Sequence, residues 1–179
     1  SMYLLMRVLN EPEDGRYQAL RSYFGTRAHQ FKMFAMFQAQ ALIALLFSVP
    51  FLVVSQHHAE DFTLFAALGL LVWVIAVGGE TLADYQLSRF RMRHGNKGKT
   101  CREGLWRYSR HPNYFFEWIH WFSYVLLAVG SPLWWATWLG PICMLAFLYR
   151  LTGIPFSEQQ AVRSRGEDYR HYQRTTSPL

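Results

Sequence analysis

The stretch GLWRYSRHPNYFFEWIHW, residues 104–121, decides how the chain is read, because charge and apolar bulk meet inside it without a linker. Arg107, Arg110 and His111 stand just before Pro112, and the residues after the proline are mainly aromatic apart from Asn113, Glu117 and His120. Proline suits the first turn of a helix, since its fixed φ fits there and its missing N–H is not needed. The residue before a proline is held extended, which puts the helix start at Pro112. A helix that begins among arginines and continues as Tyr, Phe and Trp reads as a membrane span met at its wet end.

The rest of the chain agrees. Of its 179 residues, 51% are aliphatic or aromatic and only 17% are charged, against about 25% charged in soluble domains. Four apolar blocks, residues 31–55, 62–83, 113–130 and 132–151, approach the length of a bilayer-crossing helix, which is roughly 20 residues. Gln38, Gln40 and Pro50 interrupt the first block, as membrane helices allow when neighbours satisfy the freed groups. The expected fold class is all-α, a polytopic membrane protein with about four transmembrane helices in a single domain over residues 1–179. A soluble bundle with an all-round apolar core is the competing reading, and four consecutive blocks speak against it.

Loop charge sets the expected orientation. Lys and Arg gather in residues 1–30, in the loop 84–112 and in the tail 152–179, whereas the connections QHHAED and GSP carry none. By the positive-inside bias both termini and the middle loop are cytoplasmic, in a multi-pass protein of the cell (inner) membrane. The pI near 9.5 is then mainly a topology signal. The basic residues adjoin spans and form no nucleic-acid motif, so no nucleic-acid partner is expected. The expected partners are membrane lipid and an apolar small molecule, and a homo-oligomer is left open. Cys101 falls in the loop and Cys143 in the last block, so no disulfide is expected. His57 and His58 are adjacent in a short polar connection and suggest a turn rather than a metal site. Residues 16–24 read as a short amphipathic helix, with Tyr17, Leu20 and Phe24 on one face.

Ionisable residues at membrane depth point to function by default, and three sets occur. Glu80, Asp84, Ser88 and Arg91 fall on one stripe of a helix leaving the membrane. Two acids at i, i+4 repel unless they share a donor or a proton, so pairing with the loop arginines is the plain structural alternative. The second set is the opening stretch. A helix N-terminus offers free N–H groups and a positive dipole end to an anion, and Arg107, Arg110 and His111 add donors there. Asn113 and Glu117 share a face that could hold an amide or a ribose, and His120 lies below them. An interfacial anchor explains the arginines and aromatics but not Glu117 or His120. The third set runs from Arg150 through Gly153 and Pro155, with Ser157 as cap of a new helix and Glu158 in reach of Arg150. Beyond it, RGEDYRHYQRTT reads either as a docked tail or as a closure over a ligand.

The strings RFRMRHGNKGKTCREGLWRYSRHPNYFFEWIHWFSY and RLTGIPFSEQQAVRSRGEDYRHYQRTTS resemble the bacterial membrane family related to the steroid 5α-reductases, over nearly the whole chain. The resemblance implies NADPH as cofactor and hydride transfer to a lipid-soluble enone such as a steroid, sterol or isoprenoid. By motif match it implies Asp84, Arg91, Arg110, His111, Asn113, Tyr114, Glu117, Arg150 and Glu158 as cofactor-binding residues. Further spans in that family precede the segment RVLNEPEDGRYQALR and carry the Glu and Tyr that polarise the substrate carbonyl. The expectation is therefore a relative lacking those spans, which is a fragment, takes the groups from a partner or differs in activity, with no catalytic residue assigned within this chain. Glu80 stands where the steroid enzymes prefer a neutral amide. Two alternatives remain. One is an S-adenosylmethionine-dependent membrane methyltransferase similar to the isoprenylcysteine carboxyl methyltransferases, which share the RHPxY start of a span. The other is a non-catalytic membrane module.

Overall fold

The structure is a computed structural model and describes residues 29–57, 62–151 and 153–179. The amphipathic segment expected at 16–24 lies outside the described residues, as does His58. Among the described residues six α-helices run in order: α1 (His29–Ser55), α2 (Leu64–Met92), α3 (Pro112–Leu127), α4 (Leu139–Ala146), α5 (Ile154–Arg165) and α6 (Glu167–Thr175). Short 3₁₀ turns occupy His94–Asn96, Gly104–Arg107 and Trp134–Trp138, and a π-helical turn, Phe147–Leu151, joins α4 to α5. Among the described residues there is no strand, only an isolated bridge between Ser109 and Ser177.

The chain divides into two units, Ser1–Leu45 and Leu46–Leu179. In the first, the described part of α1 exposes Phe31, Phe34, Phe37 and Leu42. The second unit carries the cavities and side-chain contacts described below.

Among the described residues, three segments are long and apolar enough to cross a membrane: Gln30–Ser55, Leu64–Met92 and Trp134–Arg165, with mean hydropathy 2.0, 1.9 and 1.4. On α2, Leu70, Leu71, Val74 and Ile75 are exposed. A patch of this kind is a liability in water and is the natural outer surface of a helix in lipid. The protein is a multi-pass, all-helical membrane protein.

The expected span 113–130 is different. Its helix, α3, has 16 residues and at 1.5 Å per residue reaches about 24 Å, short of the roughly 30 Å hydrocarbon core. The helical path ends at Ala128, and Gly130 at φ +100° turns the chain. The fourth expected block is also rearranged, because the apolar run is divided among a 3₁₀ turn, α4 and the π turn before it continues as α5.

Small residues let α2 and α3 approach. Ala76 and Ala83 of α2 are fully buried. A Cβ on Gly69 would lie 2.9 Å from the Leu127 side chain, and one on Gly79 would run into the Phe116 ring. Membrane helices associate through this kind of close backbone approach, since lipid removes the hydrophobic drive between them. The start of α2 is fixed by Thr63, whose Oγ1 accepts from the Ala66 N–H at 3.1 Å.

Candidate functional site

Three elements converge at the start of α3. His111, at φ −138°, leads into Pro112 at the first helical turn, and no side chain caps the helix. The preceding 3₁₀ turn is held to α2 by Trp106 Nε1, which donates to the Ala83 carbonyl at 2.9 Å. The Leu105 N–H donates to Gln86 Oε1 at 2.8 Å. The stripe on α2 is therefore placed beside α3, and Asn113 Nδ2 donates to Asp84 Oδ1 at 3.2 Å. That contact supplies the donor that the Glu80–Asp84 spacing demanded. Glu117 lies within electrostatic reach of both acids.

The tail closes the other side. Arg110 Nε lies 2.8 Å from Glu158 Oε1, with side chains only 11% and 16% exposed. The Arg110 Nη1 also donates to the Gln173 carbonyl at 2.6 Å, and Gln173 Nε2 donates to Glu158 Oε2 at 2.8 Å. His111 Nε2 is 3.4 Å from Glu158 Oε1, and its ring stacks on Tyr114 with centroids 5.2 Å apart. Tyr114 and Ser157 share a hydroxyl–hydroxyl bond of 2.9 Å. Burial pushes the His111 imidazole below its ordinary value; Glu158 works against this shift and Arg110 with it.

Between these elements lies a cavity of about 470 Å³, bordered by Arg91, Arg110, His111, Asn113, Tyr114 and Arg165 among others. Arg110 is neutralised by Glu158. Arg91 and Arg165 form no ion pair among the described residues; Arg165 lies over the Tyr169 ring at 5.6 Å. The Asn113 Oδ1 atom is buried without a donor among the described residues. Among the described residues no acidic side chain borders the cavity. Guanidinium groups without an ion pair, a helix start without a side-chain cap and an amide oxygen without a donor among the described residues are chemistry that could receive an anion carrying hydrogen-bond donors.

A second cavity of about 240 Å³ adjoins through Tyr114 and is bordered by Phe47, Glu117, Met144, Phe147, Leu148 and Gly153. Of the residues expected at one cofactor site, Arg91, Arg110, His111, Asn113 and Tyr114 border the larger cavity. Asp84 and Glu158 support it from outside, and Glu117 faces the smaller one. Arg150, expected there by motif match, borders neither; it is exposed on the π turn. Glu158 is correspondingly held by Arg110 rather than Arg150. Ser157 does not cap a helix either, because α5 already begins at Ile154 with Pro155 in its first turn.

Sequence reasoning missed Arg165, Tyr169 and Tyr172. The Tyr172 hydroxyl bonds to the carbonyls of Trp106 and Ser109, at 2.9 Å for the latter, and burial pushes its phenol well up. Burial likewise pushes Tyr169 up to about 12. Asp168 accepts from the Thr100 N–H at 2.8 Å and pairs with Arg102 at 2.7 Å. Burial opposes ionisation of this carboxyl, yet the hydrogen bonds from Thr100 and the charge of Arg102 hold it below the usual carboxylate range. The tail is thus docked on the loop. The available signal was the i, i+3 pair Tyr169 and Tyr172 on an otherwise polar helix.

Fold and site together define a multi-pass helical membrane protein with a cationic cavity where its helices meet the loop and tail. The chain belongs to the family described as protein of unknown function (DUF1295), which matches residues 1–176. No curated protein and no solved structure matches it.

Proposed function

We propose that the protein is an NADPH-dependent reductase of a lipid-soluble enone, of the steroid, sterol or isoprenoid kind. One observation carries the reading. Arg91 and Arg165 border the larger cavity and form no ion pair among the described residues, although the charge of Asp168 acts on Arg165. Phosphate is the natural complement of such guanidinium groups. Asn113 supports the rest of a dinucleotide as well, since its buried Oδ1 lacks, among the described residues, a donor that a carboxamide or ribose hydroxyl would provide.

Arg91, Arg165 and the N–H groups at the start of α3 would hold the phosphates, and Asn113 would orient the rest. Bound there, NADPH would supply the hydride for reduction of a carbon–carbon double bond conjugated to a carbonyl. The chain's own part is to bind and orient. Glu158 holds Arg110 and His111 in place, the tail covers the site from water, and Tyr114 separates the polar cavity from the apolar one. The resemblance to the steroid 5α-reductase group and membership of the matched family support this reading, with the cell membrane as its setting.

A methyltransferase reading draws on a different observation. Glu80, Asp84 and Glu117 form an acidic group that would suit the sulfonium of S-adenosylmethionine. That group lies outside the larger cavity, whose lining is cationic, and the dinucleotide is therefore preferred.

Titration of the detergent-purified protein with NADPH, NADH and S-adenosylmethionine, followed by thermal shift, tests the proposal. Stabilisation by NADPH is expected through mass-action linkage. Stabilisation by S-adenosylmethionine alone would replace the reductase reading with the methyltransferase. Silence from all three, in folded protein, would favour a non-catalytic module.

A further inference from the structure

The smaller cavity has chemistry of its own. Phe47, Met144, Phe147 and Leu148 make its surface apolar, and Phe47 meets Phe147 edge-on at 5.5 Å. The polar side chains on its lining are Tyr114 and Glu117. The Tyr114 hydroxyl is engaged with Ser157. Glu117 has neither a hydrogen-bond donor nor an ion pair among the described residues, and the charges that act on it, Glu80 and Asp84, are acids like itself. Glu117 is half-buried, so its carboxylate stands at the wall of an apolar recess as an acceptor ready for a donor that enters it.

The recess is also built rather than incidental. Phe147 and Leu148 belong to the π turn, an irregularity that recurs at functional sites. Gly153 lies so close beneath that turn that a Cβ would sit 2.7 Å from the Leu148 carbonyl oxygen and 2.8 Å from its Cα. The volume of about 240 Å³ falls below the roughly 300–1,000 Å³ of pockets that enclose a whole drug-sized ligand. It suits one end of a longer molecule whose remainder stays in lipid.

We propose that the cavity formed by Phe47, Tyr114, Glu117, Met144, Phe147 and Leu148 binds the hydroxyl end of a lipid-soluble alcohol, with Glu117 accepting its hydrogen bond. The acids near Glu117 would attract an ammonium group, but the aromatic and aliphatic walls desolvate a neutral donor at far smaller cost than a cation, and the amine probe separates the two. The site goes beyond the cofactor reading and does not need it. In a reductase it would hold a hydroxylated substrate beside the nucleotide, with Tyr114 between them.

The test uses the full chain in detergent micelles, without nucleotide, and radiolabelled 1-tetradecanol, its methyl ether and tetradecylamine as probes. Saturable binding of the alcohol is expected, with the ether weaker by roughly tenfold or more, the ratio that loss of a hydrogen bond to a charged group supports. Glu117→Leu is expected to abolish the difference between alcohol and ether. Met144→Trp, which fills the recess and leaves Glu117 in place, is expected to block both and covers the case in which the first variant fails to fold. Equal binding of alcohol and ether, preference for the amine, or purely non-saturable uptake would each overturn the proposal. NADPH binding is read in a separate titration, so failure of one reading leaves the other standing or falling by itself.

Discussion

The guanidinium Nε of Arg110 lies 2.8 Å from the carboxylate of Glu158, and this contact joins the loop before α3 to the helix beyond the last apolar run. Both side chains are nearly buried, so each is the other's replacement for water. Such pairs add little against an apolar substitute, but removing one partner leaves a buried charge and costs about 3–5 kcal/mol. The residual exposure of this pair brings the expected loss for Glu158→Gln to about 2–3 kcal/mol. The double variant R110M/E158Q should recover part of that loss, because no charge is left unpaired. Arg150→Gln, on an exposed side chain, should stay within about 0.5 kcal/mol of wild type. Thermal shift of the three variants checks the ordering; an E158Q protein as stable as R150Q would refute it.

Arg91 and Arg165 give the nucleotide reading its sharpest expectation. Each should contribute a charge-assisted bond to phosphate, so Arg91→Gln or Arg165→Gln is expected to weaken NADPH binding by roughly tenfold. Arg91 is exposed and makes no ion pair in the described structure, so Arg91→Gln should barely move thermal stability without nucleotide, whereas Arg165→Gln also gives up the Tyr169 ring and the attraction of Asp168. A loss of stability in Arg91→Gln equal to its loss of affinity would mean that Arg91 is structural.

The sequence made some of this legible and hid the rest for identifiable reasons. Pro112 and His111 announce the start of α3 because proline fixes its own φ and restricts its neighbour. Glu80, Asp84 and Arg91 announce one face of α2 because a straight helix keeps its period through Met92. Ser157 reads as a cap from its residue type, but the helix already starts at Ile154, and the π turn that exposes Arg150 has no periodic signature in the sequence. Arg165 was invisible for another reason. Its role depends on α6 folding back over the loop, a contact between distant segments that no local periodicity encodes.

His111 carries the pH dependence. Burial holds its imidazole below the ordinary value of 6.5. As pH falls below 6.5, the unfolded chain takes up a proton that the folded protein resists, so this contribution to stability is complete above 6.5 and lost progressively beneath it. Asp168 is depressed below its ordinary value of 3.8, so its contribution disappears only in stronger acid and does not overlap. Melting temperature should therefore fall between about pH 7.5 and 5.5, and His111→Phe, which keeps an aromatic ring against Tyr114, should flatten the fall in that window. A profile unchanged by the substitution would place the dependence elsewhere.

Tyr172 tests the docking of the tail. Its hydroxyl serves the carbonyls of Trp106 and Ser109 in a buried setting, and Tyr172→Phe leaves both without that donor. The expected cost is about 1–3 kcal/mol. Cys101 is the reporter: it is buried, burial raises its thiol, and it borders the same cavity as Tyr172. Loosening the tail by about 1.4 kcal/mol should raise alkylation of Cys101 roughly tenfold. Labelling that stays at the wild-type rate would show that α6 is held by Asp168 and Arg102 without help from Tyr172.

Gly153 separates a packing requirement from a conformational one. Its φ of −81° calls for no left-handed backbone, and the requirement that the packing shows is space. A Cβ there would stand 2.7 Å from the Leu148 carbonyl oxygen, and backbone of a π turn cannot swing aside as a flexible side chain can. Gly153→Ala should therefore cost about 1–3 kcal/mol. It should also shift the turn that carries Phe147 and Leu148, weakening tetradecanol binding in the smaller cavity. Gly95→Ala is the matched control, since a Cβ there meets nothing within 4 Å and the backbone is not left-handed. Equal stability of the two variants in thermal shift would mean that the turn yields, and that Gly153 does not set the shape of the recess.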